Sequence, residues 1–210
     1  MLPESTRIEG ILRSYVQAHT SISFVYVGSR RQLLVDMFGR NRPFYGSSRF
    51  MTLTIISKEE FVPYIVQKFA DTGKTCATGI AALIYDRVAG YPSYVQRLAG
   101  FAWDMTESTC TEDVVQRSWH ALLDDSTPLF EATWTGLSPI QRRALTSIAL
   151  EPTAKPLAFE YLQRHHVPAS SMQKALDALK MLDLVEFEQD WHLVDPVMAA
   201  WIDNTRSTVI

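Results

Sequence analysis

The residues best suited to chemistry lie where an apolar run stops. Ile22-Ser23-Phe24-Val25-Tyr26-Val27 leads straight into Gly28-Ser29-Arg30-Arg31. The continuous stretch from Phe24 to Val27 is rich in β-branched and aromatic residues, which predicts a strand buried on both faces. Parallel strands of open α/β sheets present ligand sites at their carboxyl ends. There Ser29 offers a hydroxyl and Arg30 a fixed positive charge, a pair suited to a phosphate. The bare alternative is a surface arginine pair at a strand end. A second candidate is Gly90-Tyr91-Pro92, between two helical patterns. Gly90 permits a sharp break there, and Pro92 can open the next helix at low cost.

Other chemistry-bearing patterns fail on context. Gly73-Lys74-Thr75 matches the end of a GxxxxGK[ST] phosphate-binding loop, but Lys68 stands where the first glycine belongs. The segment before it, Phe61 to Phe69, has helical and not strand spacing, so it reads as a helix-ending turn. Neither apolar strand ends in the Asp or Glu that would help hold Mg²⁺. His165 and His166 are helix neighbours, about 100° apart, and cannot share a metal as i, i+4 residues could; they read as solvated. His120 and Asp124 read as a helix-surface pair. No catalytic residue and no metal ligand is assigned.

With 210 residues, 47% hydrophobic and 20% charged, the chain can bury a core and is not a disordered tail. The net charge of −3 argues against a nucleic-acid binder held by bulk charge. The charge is uneven. Residues 1–57 carry seven arginines against Glu4, Glu9 and Asp36, a balance of +4, which leaves −7 for the rest. Cys76 and Cys110 stand 34 positions apart, in no metal-ligand spacing, and fit reduced thiols in a cytoplasmic protein. No apolar run approaches the roughly 18 residues that span a bilayer.

These groups must be positioned by three successive patterns. Thr6-Arg7-Ile8-Glu9 reads as a capping box opening an amphipathic helix to about Ala18. The Phe24–Val27 strand, a short helix over 32–38, a turn-rich basic loop and a second strand, Met51–Ile56, follow. Two strands do not make a stable sheet, so residues 1–56 read as part of a larger α/β domain. From Ser57-Lys58-Glu59-Glu60 to residue 125 the spacing predicts four helices. Residues 126–136 read as a linker. Ser138-Pro139-Ile140-Gln141 then caps the first of three helices. The third opens at Ser170-Ser171-Met172-Gln173, and a hairpin around Gln189-Asp190 and a last helix from Val197 to Ile202 follow. Three helices and a β-ribbon are the order of a winged helix, over 137–203, with a tail at 204–210. Its third helix is poor in Arg and Asn, and its wing carries Glu186, Glu188 and Asp190, which would repel DNA.

The segments FVYVGSRRQLLVDMF, RPFYGSSRFMTLTIISKEEF and DRVAGYPSYVQRLA, followed by a winged helix, resemble the archaeal-type ATPases of the signal-transducing STAND class within the AAA+ superfamily. Order and spacing match from near Glu9 to about Ile202. The resemblance implies a fold class: an α/β remnant of a P-loop NTPase sheet, then an α-helical lid and a winged helix, mostly α overall. It makes the strand ending at Ser29 and Arg30 the sensor-1 strand, near a terminal phosphate. It makes Gly90, Tyr91 and Pro92 the Gly-x-Pro motif, whose proline packs near adenine and couples nucleotide state to lid position. The winged helix becomes a regulatory module.

The family's Walker A and Walker B segments would precede residue 1. The resemblance therefore implies a C-terminal portion of an ATPase. ATP and Mg²⁺ are the implied ligands, bound weakly or not at all by this chain alone, and its hydrolysis should be negligible. The implied partner is a complementary N-terminal P-loop half or another protein, in the cytoplasm and away from membranes. The alternative is a non-enzymatic winged-helix regulator that binds DNA or protein through residues 137–203.

Overall fold

The structure, a computed structural model, describes residues 4–28, 31–51, 53 and 55–206. The chain divides into two units, residues 1–53 and 54–210.

In the first unit, α1 (Glu4–Ala18) and α2 (Arg31–Met37) are the helices. Thr6 lies inside α1 and is not its cap. Among the described residues, no ladder forms over Phe24–Val27 or Met51–Ile56, contrary to the strand expectation. The burial expectation for the first segment also needs correcting. Tyr26 turns inward onto Phe38 and Phe44, at ring-centroid distances of 5.8 and 5.4 Å, while Val25 and Val27 are 79% and 86% exposed. Only one face of the segment is covered. A strand needs a hydrogen-bonded neighbour on at least one edge, and the described residues supply none. Ser29, Arg30, Thr52 and Thr54 lie outside the described residues.

The second unit is mostly helical. It opens with α3 (Lys58–Ala70), β1 (Thr75–Cys76), α4 (Thr78–Arg87), α5 (Pro92–Met105) and β2 (Thr109–Cys110). The two short strands pair in parallel. Then comes α6 (Glu112–Gly136), a helix of 25 residues. The expected linker at 126–136 is therefore the second half of a continuous helix. Pro128 sits inside it and withholds the N–H that the Asp124 carbonyl would accept, a cost of about 3 kcal/mol. Burial offsets that cost. Phe130 is buried against Trp201 at 5.7 Å between ring centroids, and Trp134 meets the same indole at 6.0 Å. Burying Phe130 fully and Trp134 in part contributes about 3–4 kcal/mol.

The winged-helix order follows as expected: α7 (Pro139–Leu150), α8 (Phe159–Arg164), α9 (Ala169–Met181), the antiparallel hairpin β3 (Val185–Phe187) and β4 (Trp191–Leu193), and α10 (Pro196–Arg206). Thr153 adds a bridge to Trp191. The Ser138 capping box is complete, with Ser138 N–H donating to Gln141 Oε1 at 2.8 Å and Gln141 N–H to Ser138 Oγ at 3.4 Å. Helix α9 begins one residue before Ser170, with Pro168 at its N-cap and no side-chain cap bond. His165 corrects the solvated-histidine reading: it is buried, bonded to Glu151 Oε2 at 3.0 Å and packed on the Tyr161 ring. One continuous core runs from Phe61 to Ile202, through the four-helix pattern and the winged helix alike. No described helix is long and apolar enough to cross a membrane.

Truncating Phe130 to Ala should lower stability by about 3–5 kcal/mol in urea unfolding. Because α6 belongs to both halves of the unit, tryptophan fluorescence and far-UV circular dichroism should report the same lowered midpoint.

Candidate functional site

The Gly90-Tyr91-Pro92 turn is built by its backbone. Helix α4 ends at Arg87, and Ala89 and Gly90 both take positive φ, 50° and 71°. Gly90 N–H donates back to the Tyr85 carbonyl at 3.0 Å. A Cβ at Gly90 would stand 2.5 Å from Tyr85 Cζ and Oη. That hydroxyl is itself fixed, donating to the Ile56 carbonyl at 2.8 Å. Glycine is thus required twice, for the left-handed conformation and for the close approach. Pro92 is the first residue of α5, where its missing N–H costs nothing.

The turn is tied to the winged helix. Tyr91 Oη donates to the Val194 carbonyl at 2.5 Å, just after β4. One turn along α5, Tyr94 Oη donates to Asp195 Oδ2 at 2.5 Å. The other oxygen of that carboxylate, Oδ1, accepts from the N–H groups of Val197 and Met198, both at 2.9 Å, and so caps α10. A turn further, Arg97 lies 5.5 Å from the Tyr94 ring and pairs with Asp125 on α6. Burial pushes the Tyr94 hydroxyl upward, and the bond to Asp195 adds to the shift; burial also raises Tyr91, with Glu186 next. Both phenols therefore stay protonated donors at neutral pH.

Gly90, Tyr91 and Pro92 are together in this turn, while Ser29 and Arg30 lie outside the described residues. Sequence reasoning missed Tyr94, Arg97 and Asp195. The i, i+3 spacing of Tyr91, Tyr94 and Arg97 was a usable signal for one helix edge, but the partners of the two tyrosines, about a hundred residues on, were not. The Gly73-Lys74-Thr75 turn is the end of α3: Lys74 N–H bonds the Phe69 carbonyl at 3.0 Å, and Gly73 has φ 76°. Lys74 Nζ lies 4.0 Å over the Trp103 ring and donates to the Trp103 carbonyl at 2.6 Å. His120 meets Gln116 at 3.1 Å. Among the described residues no cluster of three or more His, Cys, Asp or Glu could hold a metal.

Residues 128–204 match the family described as "Probable winged helix domain". No curated protein sequence matches the chain. The fold is similar to the Walker-type ATPase PABY2304 of Pyrococcus abyssi, with a TM-score of 0.68 and 17% identity over 93% of this chain and 57% of that one. At this identity the likeness is one of fold, and the chain spans little more than half the length of that ATPase. The molecule is therefore a mostly helical, ATPase-like fold that carries a winged helix.

Gly90→Ala should cost about 1–2 kcal/mol from φ alone and more from the Tyr85 contact. Gly79→Ala, in open space within α4, should stabilise by about 0.5–1 kcal/mol; urea melts compare the two. The phenols also predict a pH dependence. Unfolded tyrosine ionises near 10 and these two ionise higher when folded. Their contribution is complete below pH about 10 and is lost as pH rises through the folded values. Replacing both by Phe should cost about 1 kcal/mol each at pH 7 and flatten the alkaline loss of stability.

Proposed function

We propose that the chain is the sensor, lid and winged-helix portion of a STAND-type ATPase, working as an ATP-dependent conformational switch in the cytoplasm. The observation that carries this reading is the Gly90-Tyr91-Pro92 turn bonded directly to the winged helix through Tyr91 and Val194. A turn that approaches adenine and also holds β4 would transmit nucleotide state to the winged helix without an intermediate. The ATPase-like fold supports the reading.

The described residues do not by themselves fit a nucleoside triphosphate with Mg²⁺. Lys74 is committed to Trp103, in a helix-ending turn, and no apolar strand here ends in a carboxylate. No catalytic step is assigned to them. ATP and Mg²⁺ belong to an assembled site, completed by a P-loop half on the same or a second polypeptide. The exposed Val25, Val27, Met51 and Leu53 support such a partner, since they are strand-type residues with no covering layer among the described residues. Ser29 and Arg30 would read the terminal phosphate, and Pro92 would pack by the adenine.

A second reading, a winged-helix regulator without ATPase function, is favoured by exposed Phe187 and Met181 near the acidic wing. Those groups suit a protein partner better than DNA.

Titration with ATP·Mg²⁺ tests the main reading. The chain alone should bind weakly. An assembly that includes Walker A and Walker B segments should bind, and Arg30→Ala should weaken its binding about 10- to 100-fold. Unchanged binding and turnover in Arg30→Ala and Pro92→Ala would sink the assignment. A salt-dependent shift of duplex DNA by the chain would instead support a DNA-binding regulator.

A further inference from the structure

We propose that Cys76 and Cys110 form an oxidation site, at which a small peroxide converts two buried thiols into a disulfide that staples two junctions of the helical unit.

The geometry is specific. β1 and β2 lie side by side in parallel, and Cys76 and Cys110 are direct partners in register. In each strand the threonine faces solvent and the cysteine faces the core. The thiols are 4% and 2% exposed, and neither is in a disulfide. Neighbouring strands run about 4.8 Å apart, within the Cα separation of roughly 4.4–6.8 Å that a disulfide accepts. The junctions joined are those between α3 and α4 and between α5 and α6, far apart in sequence.

Two cysteines in a core can serve simply as small apolar residues. This pair differs because its two side chains are in-register neighbours on the core side of paired strands, with Cys76 Sγ donating to the Ala77 carbonyl at 3.8 Å. The neighbouring Cys76 side chain brings Cys110 down to about 7, and the same proximity together with burial drives Cys76 upward, so Cys110 is the more readily ionised of the two. A thiolate is the nucleophile in thiol oxidation.

The chemistry balances with hydrogen peroxide as oxidant. The Cys110 thiolate attacks one peroxide oxygen and breaks the O–O bond. A sulfenic acid forms and hydroxide leaves, taking a proton to become water. The Cys76 sulfur, losing its proton, then attacks the Cys110 sulfur. The S–S bond forms and the sulfenyl oxygen departs as a second water. Two electrons pass from the sulfurs to the peroxide. Burial of the two sulfurs disfavours a bulky disulfide as the oxidant relative to a small peroxide. Strands of two residues can open locally to let it in.

The disulfide would close a loop containing α4, the Gly90 turn and α5. That it would thereby lock lid movement rests on the proposed function; the thiol chemistry does not. The full chain, without nucleotide, is treated with hydrogen peroxide, quenched, unfolded and alkylated. The expected result is joint protection of both cysteines, an intact mass lower by two hydrogens, reversal by dithiothreitol, and a melting temperature raised by about 10 °C. In Cys76→Ala, Cys110 should stop at the sulfenic acid and take a dimedone label. Two thiols that stay alkylatable after peroxide, or a Cys110 sulfenic acid that persists in the unsubstituted chain, overturn the proposal. Neither outcome bears on ATP binding, so the two readings fail separately.

Discussion

One helix serves both ends of a single core. Helix α6 buries Val115, Trp119 and Leu122 among the helices before it and Phe130 against Trp201 of α10. A helix transmits rotation and translation along its length because each residue is fixed by hydrogen bonds to its neighbours one turn away. The two halves of the second unit therefore cannot move independently without disturbing shared packing. Pro128 is tolerated at the middle of this helix because the aromatic packing of Phe130 and Trp134 on Trp201 outweighs one missing hydrogen bond.

The contact between the Gly90 turn and the start of α10 acts in parallel with α6. Tyr91 and Tyr94 reach the backbone and the capping carboxylate at the β4–α10 junction. Asp195 has one oxygen on Tyr94 and the other on two α10 amides. A displacement of α5 thus alters the cap of α10, and a change in α10 is felt by the turn. The two elements are therefore linked in both directions through one carboxylate.

The first unit follows a different balance. Tyr26, Phe38, Phe44 and Phe50 form an aromatic cluster on one side of the extended segment. The valines on the other side stay in water. Hydrophobic residues at alternate positions are stabilising only when a layer covers them. Among the described residues no layer covers them.

The sequence by itself determined the local elements of the second unit. Helical spacing, the Ser138 capping box and the alternation in the wing are set by neighbours within a few residues. The Gly90-Tyr91-Pro92 break was legible for the same reason. What joins these elements was not legible. The continuity of α6 across Pro128 depends on Trp201, more than seventy residues away. The partners of Tyr91 and Tyr94 lie about a hundred residues away, and the registry of Cys76 with Cys110 depends on two loops meeting. His165 looked like a surface residue until Glu151 and Tyr161 enclosed it. Periodicity records which face of an element is apolar, but only tertiary packing decides what covers that face, and a strand-like segment without a partner remains merely extended.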